Sequence, residues 1–243
     1  ENLTGGSDAD AFVFDLDQRI EGKLDGGLGS DTLDISLYDP INNAVEFLLS
    51  GDGTQDGVAG STTASIGIDP LGDTFDNINN LIGNGAADTL AGPNVSNTWV
   101  IDGQDSGTIN GVVFEKFPNL TGGTDVDEFT FTNSGSLTGT VGIDAGLGED
   151  SLVGDDDGNT FYIEGSGSGR EAAKFTNPSP GGFSGFENLA GGSGDDQFRF
   201  DDGVELSGSV DGAGGTDELF LQTYSTDLTY TLIDFGSVNG FAG

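Results

Sequence analysis

The chain has no cysteine, methionine or histidine, and it has 6 Lys and Arg residues against 42 Asp and Glu residues, a net charge of −36 over 243 residues. Without cysteine or histidine there is no thiol nucleophile, no imidazole base and no zinc or haem site built on those side chains. The scarcity of positive charge argues against binding to nucleic acid or anionic lipid, because both need basic patches. A charged partner of this protein should therefore be a cation.

Long apolar runs are also missing, and none approaches the roughly 18 residues of a membrane span. The chain nevertheless has 17 Phe and 44 Gly residues, and that many phenylalanines are hard to explain in a solvated coil. No stretch shows a helical stripe, whereas Phe12-Val13-Phe14 alternates with the period of a strand. The composition therefore predicts short apolar strands separated by glycine and aspartate turns.

An Asn-Leu anchor recurs along the chain, and it organises the sequence. It occurs in segments 1–6, 80–83, 119–123 and 187–192. After three of these copies come an acidic turn, an alternating aromatic strand and a second glycine and aspartate turn. Self-similarity of this kind is typical of solenoids, in which equivalent turns stack. Stacking of the anchors predicts that the Asn side chains either form a hydrogen-bonded ladder of amides along the solenoid or support the turns.

The spacing of the aspartates that close the turns predicts the size of one coil. The pairs Asp10 and Asp31, Asp127 and Asp150, and Asp196 and Asp217 lie 21, 23 and 21 residues apart. We therefore predict an all-β fold, a parallel β-helix (β-solenoid) that is right-handed, with coils of about 21–23 residues. The whole of 1–243 forms one domain, with sub-repeats near 1–75, 76–118, 119–186 and 187–243.

The end of the sequence resembles the segment that precedes an internal anchor. Residues 240–243 match 182–185, which lead into Glu187-Asn188-Leu189, and the chain begins Glu1-Asn2-Leu3. We therefore expect one large repeat of a longer array, or a subunit that stacks end to end on copies of itself.

Two segments, 26–34 and 191–199, fit the nonapeptide G-G-x-G-x-D-x-U-x in full. Partial copies end at Asp10, Asp88, Asp127, Asp150 and Asp217. Here the chain resembles RTX-type repeats, and more closely the β-strand repeats of very large secreted bacterial surface proteins. The resemblance covers nearly the whole chain, least well residues 35–75, and it implies an extracellular location at a bacterial cell surface.

The resemblance also implies calcium, held between stacked turns by the sixth-position aspartate and by carbonyl groups of the glycine turns. Carried over residue by residue, the ligands are Asp10 with Asp31, Asp127 with Asp150, and Asp196 with Asp217. This chain departs from RTX repeats because its motifs are single turns rather than tandem copies, and because Asp8 and Asp125 replace glycines.

Physical chemistry leaves two interpretations of these acidic turns open. Stacked carboxylates repel one another, and a calcium ion with six to eight oxygen ligands would relieve that repulsion. Alternatively, each aspartate caps its own turn through a hydrogen bond while the charges stay solvated.

The sequence contains few candidates for catalysis. With 42 acidic residues, a pair of carboxylates at a catalytic spacing is expected by chance. Arg199 is the one candidate cation beside acids, and its outward position predicts a salt bridge. Trp99 and Tyr162 are predicted to be equivalent strand residues that pack in or near the core, with a sugar platform as the alternative.

We therefore predict that the protein is not an enzyme but a structural module, a spacer or filament segment that stacks on copies of itself and is supported by calcium. The alternative is an adhesin or carbohydrate-binding module whose partner is a cell-surface polysaccharide. The third is a polysaccharide-acting enzyme, since parallel β-helices can host such sites.

Overall fold

The computed structural model describes residues 1–16, 18–38, 44–65, 69–85, 87–132, 134–176, 181–221, 225, 234–235 and 241–242. Within these residues the protein consists of strands and turns, without helices. The described part of the chain accordingly has no helix long and apolar enough to cross a membrane. Residues 240 and 243 of the predicted C-terminal match lie outside the described residues.

The strands are short and follow one another through glycine-rich turns. In chain order they are β1 Leu3–Thr4, β2 Ala11–Val13, β3 Leu24–Asp25, β4 Thr32–Asp34, β5 Val45–Asp52, β6 Val58–Ala64, β7 Thr74–Ile78, β8 Asn80–Ile82, β9 Thr89–Ala91, β10 Asn97–Gly103, β11 Ser106–Ile109, β12 Val112–Glu115, β13 Asn119–Gly123, β14 Asp127–Phe131, β15 Gly142–Gly146, β16 Ser151–Val153, β17 Thr160–Gly165, β18 Ser168–Glu171, β19 Gly182–Ser184, β20 Asn188–Gly192, β21 Gln197–Phe200, β22 Val210–Ala213, β23 Glu218–Phe220, β24 Asp234–Phe235 and β25 Phe241–Ala242.

Two large sheets contain all of these strands except β24 and β25, which pair with each other. Sheet 1 has 13 strands in the order β1-β3-β7-β6-β5-β9-β13-β15-β19-β18-β17-β21-β23. Sheet 2 has 10 strands in the order β2-β4-β8-β12-β11-β10-β14-β16-β20-β22. Over much of its length the chain alternates between the two sheets, and we call one traverse of both sheets a pass. In these parts each strand pairs in parallel with the strand of an earlier pass.

Three antiparallel meanders interrupt this parallel pattern, namely β5–β7, β10–β12 and β17–β19. In each one the last strand pairs with an earlier pass and the first strand pairs with a later pass. A meander therefore adds two strands to one sheet without breaking its parallel continuation. The first meander lies largely within residues 35–75, where the repeat is weakest in sequence.

The meanders change the predicted coil spacing. Passes without a meander keep it, since Asp10 and Asp31 are neighbours 21 residues apart and Asp127 and Asp150 are neighbours 23 apart. Across a meander the spacing is larger, for example 37 residues between Asn159 and Asp196. A uniform coil of 21–23 residues is therefore wrong for those passes, because two further strands must be traversed. Nothing in the strand pairing tests the predicted sub-repeat boundaries.

One hydrophobic cluster draws its side chains from both sheets. Alternate residues of a strand point inward, so that in β10 Asn97, Trp99 and Ile101 are buried while Thr98 is exposed. Parallel pairing places like residues over one another: the rings of Trp99 and Phe129 stack at 5.1 Å between centroids. That separation is close to the spacing of paired strands, so the strand register itself stacks the aromatic core.

Candidate metal centre

All six aspartates predicted to bind calcium lie where a glycine turn runs into a strand. Asp127 is the first residue of β14, and each of the others immediately precedes its strand: Asp10 (β2), Asp31 (β4), Asp150 (β16), Asp196 (β21) and Asp217 (β23). Parallel pairing of these strands stacks the turns, and it brings together each predicted pair.

The contact within each pair joins a backbone amide to a carboxylate. The N–H of Asp10 donates to Asp31 Oδ1 at 2.8 Å, and that of Asp127 donates to Asp150 Oδ1 at 2.7 Å. The N–H of Asp196 likewise donates to Asp217 Oδ1 at 3.0 Å. One carboxylate oxygen of each later aspartate is therefore bound to the main chain of the neighbouring pass.

The same contact continues beyond the predicted pairs and forms what we call the acceptor ladder. Its side-chain acceptors are Asp31, Asn79, Asp88, Asp127, Asp150, Glu187, Asp196 and Asp217. The sequence pattern did not predict Asn79 and Glu187 as acceptors, although each directly precedes an Asn-Leu pair. They accept the N–H of Asp31 at 2.8 Å and of Asp150 at 2.9 Å, respectively.

The second carboxylate oxygen is buried without a partner in four members of the ladder. Oδ2 of Asp31, Asp127, Asp150 and Asp196 has no hydrogen-bond partner among the described residues, and all four residues are fully buried. In three of them this oxygen lies against the glycine five residues earlier. A Cβ at Gly26, Gly122 or Gly191 would come within 3.0 Å of it. The first glycine of the nonapeptide is therefore required by packing.

Burial raises the pKa of several ladder carboxyls. It raises the pKa of Asp88 to about 6 against opposing backbone hydrogen bonds, the first of them from Val45. It also raises the pKa of Asp127 to about 6, although hydrogen bonds from Asn97 lower it. Burial likewise raises the pKa of Asp150 and of Asp196. Asp88 and Asp127 are therefore partly protonated near pH 6.

The acidic side chains of these pairs do not by themselves make up a calcium site. The described residues contain no group of three or more Asp, Glu, His or Cys side chains placed to hold a metal ion. Calcium takes six to eight oxygens, whereas each aspartate pair already uses one oxygen on a main-chain N–H. The structure thus brings the predicted ligands together as hydrogen-bonding partners, and calcium at these pairs stays a prediction.

The Asn-Leu anchors join successive passes as well, but not as a ladder of side-chain amides. Asn188 Nδ2 donates to the carbonyl oxygen of Asp150 at 3.4 Å, and its Oδ1 accepts the N–H of Ser209 at 3.1 Å. Asn119 does the same between Asp88 and Val141. The predicted amide-to-amide contact is wrong because parallel register places an anchor beside backbone groups of both neighbouring passes.

Arg199 forms no salt bridge with an acidic residue in the described part of the chain, contrary to the prediction. In the described part of the chain its guanidinium donates to Gln197 Oε1 at 2.7 Å and lies 4.1 Å from the ring centre of Phe220. The ion pairs that the structure describes are those of Lys23 with Asp76, Arg170 with Glu164 and Lys174 with Asp155. Arg199 is therefore not placed beside a pair of acids as a lyase-like site would need.

Trp99 and Tyr162 are not equivalent. Trp99 is fully buried over Phe129, whereas Tyr162 is only half-buried and lies beneath the guanidinium of Arg170, 4.0 Å from its ring centre. The residue that matches Trp99 is Phe161, whose ring stacks on that of Phe198. The predicted equivalence is one residue out of register.

An open depression of about 270 Å³ lies over the second meander, lined by residues that include Asp102, Gln104, Glu115 and Lys116. Its one aromatic lining residue, Phe114, is fully buried. No exposed ring lines this depression for a sugar to stack on.

No protein-family model matches this chain, and no curated protein matches it in sequence.

Proposed function

We propose that this chain is a structural module, a right-handed parallel β-solenoid that serves as a spacer or filament segment of an extracellular bacterial surface protein. The acceptor ladder is the observation that supports the proposal most strongly. At pass after pass, the side chain that closes one turn accepts the backbone N–H of the turn in the preceding pass. Right-handedness follows from the general preference of parallel crossovers.

The acceptor ladder and the strand pairing together join each pass to its neighbours. Hydrogen bonds to charged groups contribute about 1.5–3 kcal/mol each, and here they connect passes that the sheets already join. At about 4.8 Å per strand, the 13 strands of sheet 1 extend over roughly 60 Å. Such a body is suited to reach and stiffness.

The extracellular location rests on the resemblance to repeats of secreted bacterial proteins. The net charge of −36 fits an exposed surface module, because strong like charge keeps such rods apart in solution. Two alternatives have less support. The depression over β10–β12 offers no exposed aromatic platform for an adhesin, and Arg199 is bound to Gln197 rather than to acids of a catalytic pair.

Electron microscopy of the purified chain tests this proposal. We expect elongated particles about 60 Å long that join into longer rods as protein concentration and ionic strength rise. Compact particles that never join under any of these conditions would contradict the filament role. Binding to a polysaccharide array by such compact particles would favour the adhesin instead.

A further inference from the structure

The two ends of the stacked sheets expose leucines that occupy core positions. Leu3 in β1 is 44 % exposed, although its partner Leu24 is fully buried. Leu219 in β23 is 56 % exposed, although its partner Phe198 is 2 % exposed. β1 and β23 are the edge strands of sheet 1. Among the described residues, no further strand pairs with the outer side of β1 or β23, which leaves each leucine exposed.

Internal passes show what normally covers a turn that ends in aspartate. The anchor Glu187-Asn188-Leu189 lies on the pass that stacks on the turn of Asp150. Glu187 Oε2 accepts the N–H of Asp150, and the backbone N–H of Asn188 donates to the carbonyl oxygen of Asp150 at 2.9 Å. Strand pairing then sets Ser151 opposite Asn188 and Leu152 opposite Leu189.

The same arrangement occurs at a second site. The N–H of Asp31 donates to Asn79 Oδ1, and its carbonyl oxygen accepts the N–H of Asn80 at 2.9 Å. Thr32 lies opposite Asn80, and Leu33 lies opposite Leu81. An anchor that stacks on an aspartate turn therefore has a fixed register.

The two ends carry the separate halves of this arrangement. Among the described residues, the backbone N–H and carbonyl of Asp217 have no hydrogen-bond partner, although its side chain accepts the N–H of Asp196. At the other end, Glu1-Asn2-Leu3 is an anchor of the same sequence as Glu187-Asn188-Leu189. Asn2 Oδ1 already accepts the N–H of Lys23 in the following pass, as Asn188 Oδ1 accepts that of Ser209.

We propose that β1 of one copy adds in parallel to β23 of a second copy, with Asn2 opposite Glu218 and Leu3 opposite Leu219. The partner is thus another copy of this chain, joined head to tail. The N–H of Asp217 donates to the carboxylate of Glu1 across the junction, and the carbonyl oxygen of Asp217 accepts the N–H of Asn2. This rests on the proposed filament function and assigns its polarity and register.

Charge sets the condition under which the junction forms. Asp217 and Glu218 at one end meet Glu1 at the other, so the ends repel at low ionic strength. The screening length falls from about 30 Å at 0.01 M salt to about 3 Å at 1 M. Association should therefore increase with salt.

Cysteine cross-linking tests the register, because the chain has no cysteine of its own. The proposed register places Thr4 opposite Phe220, both on the outward side of their strands. We expect oxidation of a mixture of Thr4→Cys and Phe220→Cys chains at high salt to give disulfide-linked dimers. Neither variant alone should give them. The control mixture, Thr4→Cys with Thr140→Cys, carries an exposed thiol before β15, in the middle of sheet 1, and should stay monomeric.

A second pair of variants separates binding from folding. Leu219→Asp should abolish association while circular dichroism stays unchanged, because Leu219 is exposed in the single copy. Leu147→Asp is the matched control, since Leu147 is 70 % exposed on a turn, and it should associate normally.

The possible results separate the register from the filament role. Rods that form without a cross-link in the Thr4→Cys and Phe220→Cys mixture, or that persist in Leu219→Asp, would overturn this register and leave the filament function standing. A chain that forms neither rods nor dimers at any salt concentration would overturn both.

Discussion

At the scale of single residues, one aspartate per turn does two things. Asp196, for example, accepts the N–H of Asn159 with Oδ1 at 2.7 Å and packs Oδ2 against Gly191. These two contacts account for the glycine and the aspartate of the nonapeptide through packing and hydrogen bonding alone. Similarity to a calcium motif is therefore weaker evidence for calcium here than it would be in a tandem array.

The glycine requirement predicts a large effect from a single methyl group. Gly191→Ala places a Cβ within 3.0 Å of three atoms of Asp196, a buried side chain that cannot move without losing its hydrogen bonds. We expect a loss of about 1–3 kcal/mol in the free energy of unfolding, measured by urea denaturation. Gly6→Ala is the control, because its Cβ would meet Asp10 at an ordinary 3.8 Å. Equal losses in both variants would contradict the packing role.

Asp127 distinguishes a hydrogen-bond acceptor from a required charge. Asp127→Asn keeps an oxygen for the N–H of Asn97, which lies 2.9 Å from Oδ1, and it removes a buried carboxyl. We expect this variant to be at least as stable as the parent at pH 7. Asp127→Ala should lose about 1–3 kcal/mol, because a buried donor is left unpaired. If both variants lose equally, the charge itself is needed, as it would be in a metal ligand.

The raised carboxyl pKa values also predict how stability depends on pH. For Asp88 and Asp127 the folded pKa is about 6 and the ordinary value is 3.8, so the folded protein binds more protons between these values. Their contribution is present below about pH 4 and is lost as pH rises through 6, up to about 3 kcal/mol for each group. Unfolding should therefore need more urea at pH 5 than at pH 7.

The net negative charge of the protein also favours greater stability at pH 5 than at pH 7. The control is therefore a comparison of this pH effect between the parent and a variant. The double variant Asp88→Asn, Asp127→Asn should show a smaller gain between pH 7 and pH 5 than the parent. An identical gain would assign the whole effect to general charge repulsion.

The pKa of Asp76 is shifted in the opposite direction. Burial raises its pKa, but hydrogen bonds from Lys23 and Thr54 outweigh this and lower it, so its contribution is lost at more acidic pH.

At the scale of elements, the three meanders are what sequence periodicity failed to predict. One of them carried a recognisable signal: Asn110-Gly111 stands between apolar Ile109 and Val112, and both turn residues have positive φ, 49° and 87°. Such a two-residue turn is typical of antiparallel hairpins. The repeated Asn-Thr-aromatic segments that begin at Asn97 and Asn159 open two of the meanders.

The ring of Trp99, in the first strand of the second meander, stacks on that of Phe129 in the next pass. Its indole Nε1 is buried without a hydrogen-bond partner among the described residues, whereas the matching Phe161 stacks on Phe198 at the same 5.1 Å with no polar atom to bury. We expect Trp99→Phe to change the unfolding free energy by less than about 1.5 kcal/mol. Trp99→Ala should lose about 3–5 kcal/mol. A comparable loss in both, measured by thermal and urea unfolding, would contradict this account of the stacked core.

At the scale of the whole molecule, the ladder and the core join successive passes through hydrogen bonds and packing among the described residues. If these contacts are sufficient, the thermal midpoint of unfolding will be the same in chelator, in calcium and in magnesium when the ionic strength is equal. A midpoint that rises with calcium concentration, and not with magnesium, would instead support ion binding to the folded state. It would then restore the predicted ligands, such as Asp127 and Asp150, as the first residues to mutate.

The sequence by itself determined that the protein is all-β, which turns are equivalent and which aspartates meet. It could do so because each strand covers the core side chains of the strand before it only if equivalent turns stack. The turns that contain Asp10 and Asp31 stack in this way. Only the tertiary structure decided what those aspartates bind, because a carboxylate can meet an ion, water or a backbone N–H, and that choice depends on sub-ångström register. It also decided where the chain doubles back, as at Asn110, since a parallel pass and an antiparallel one bury the same alternating side chains.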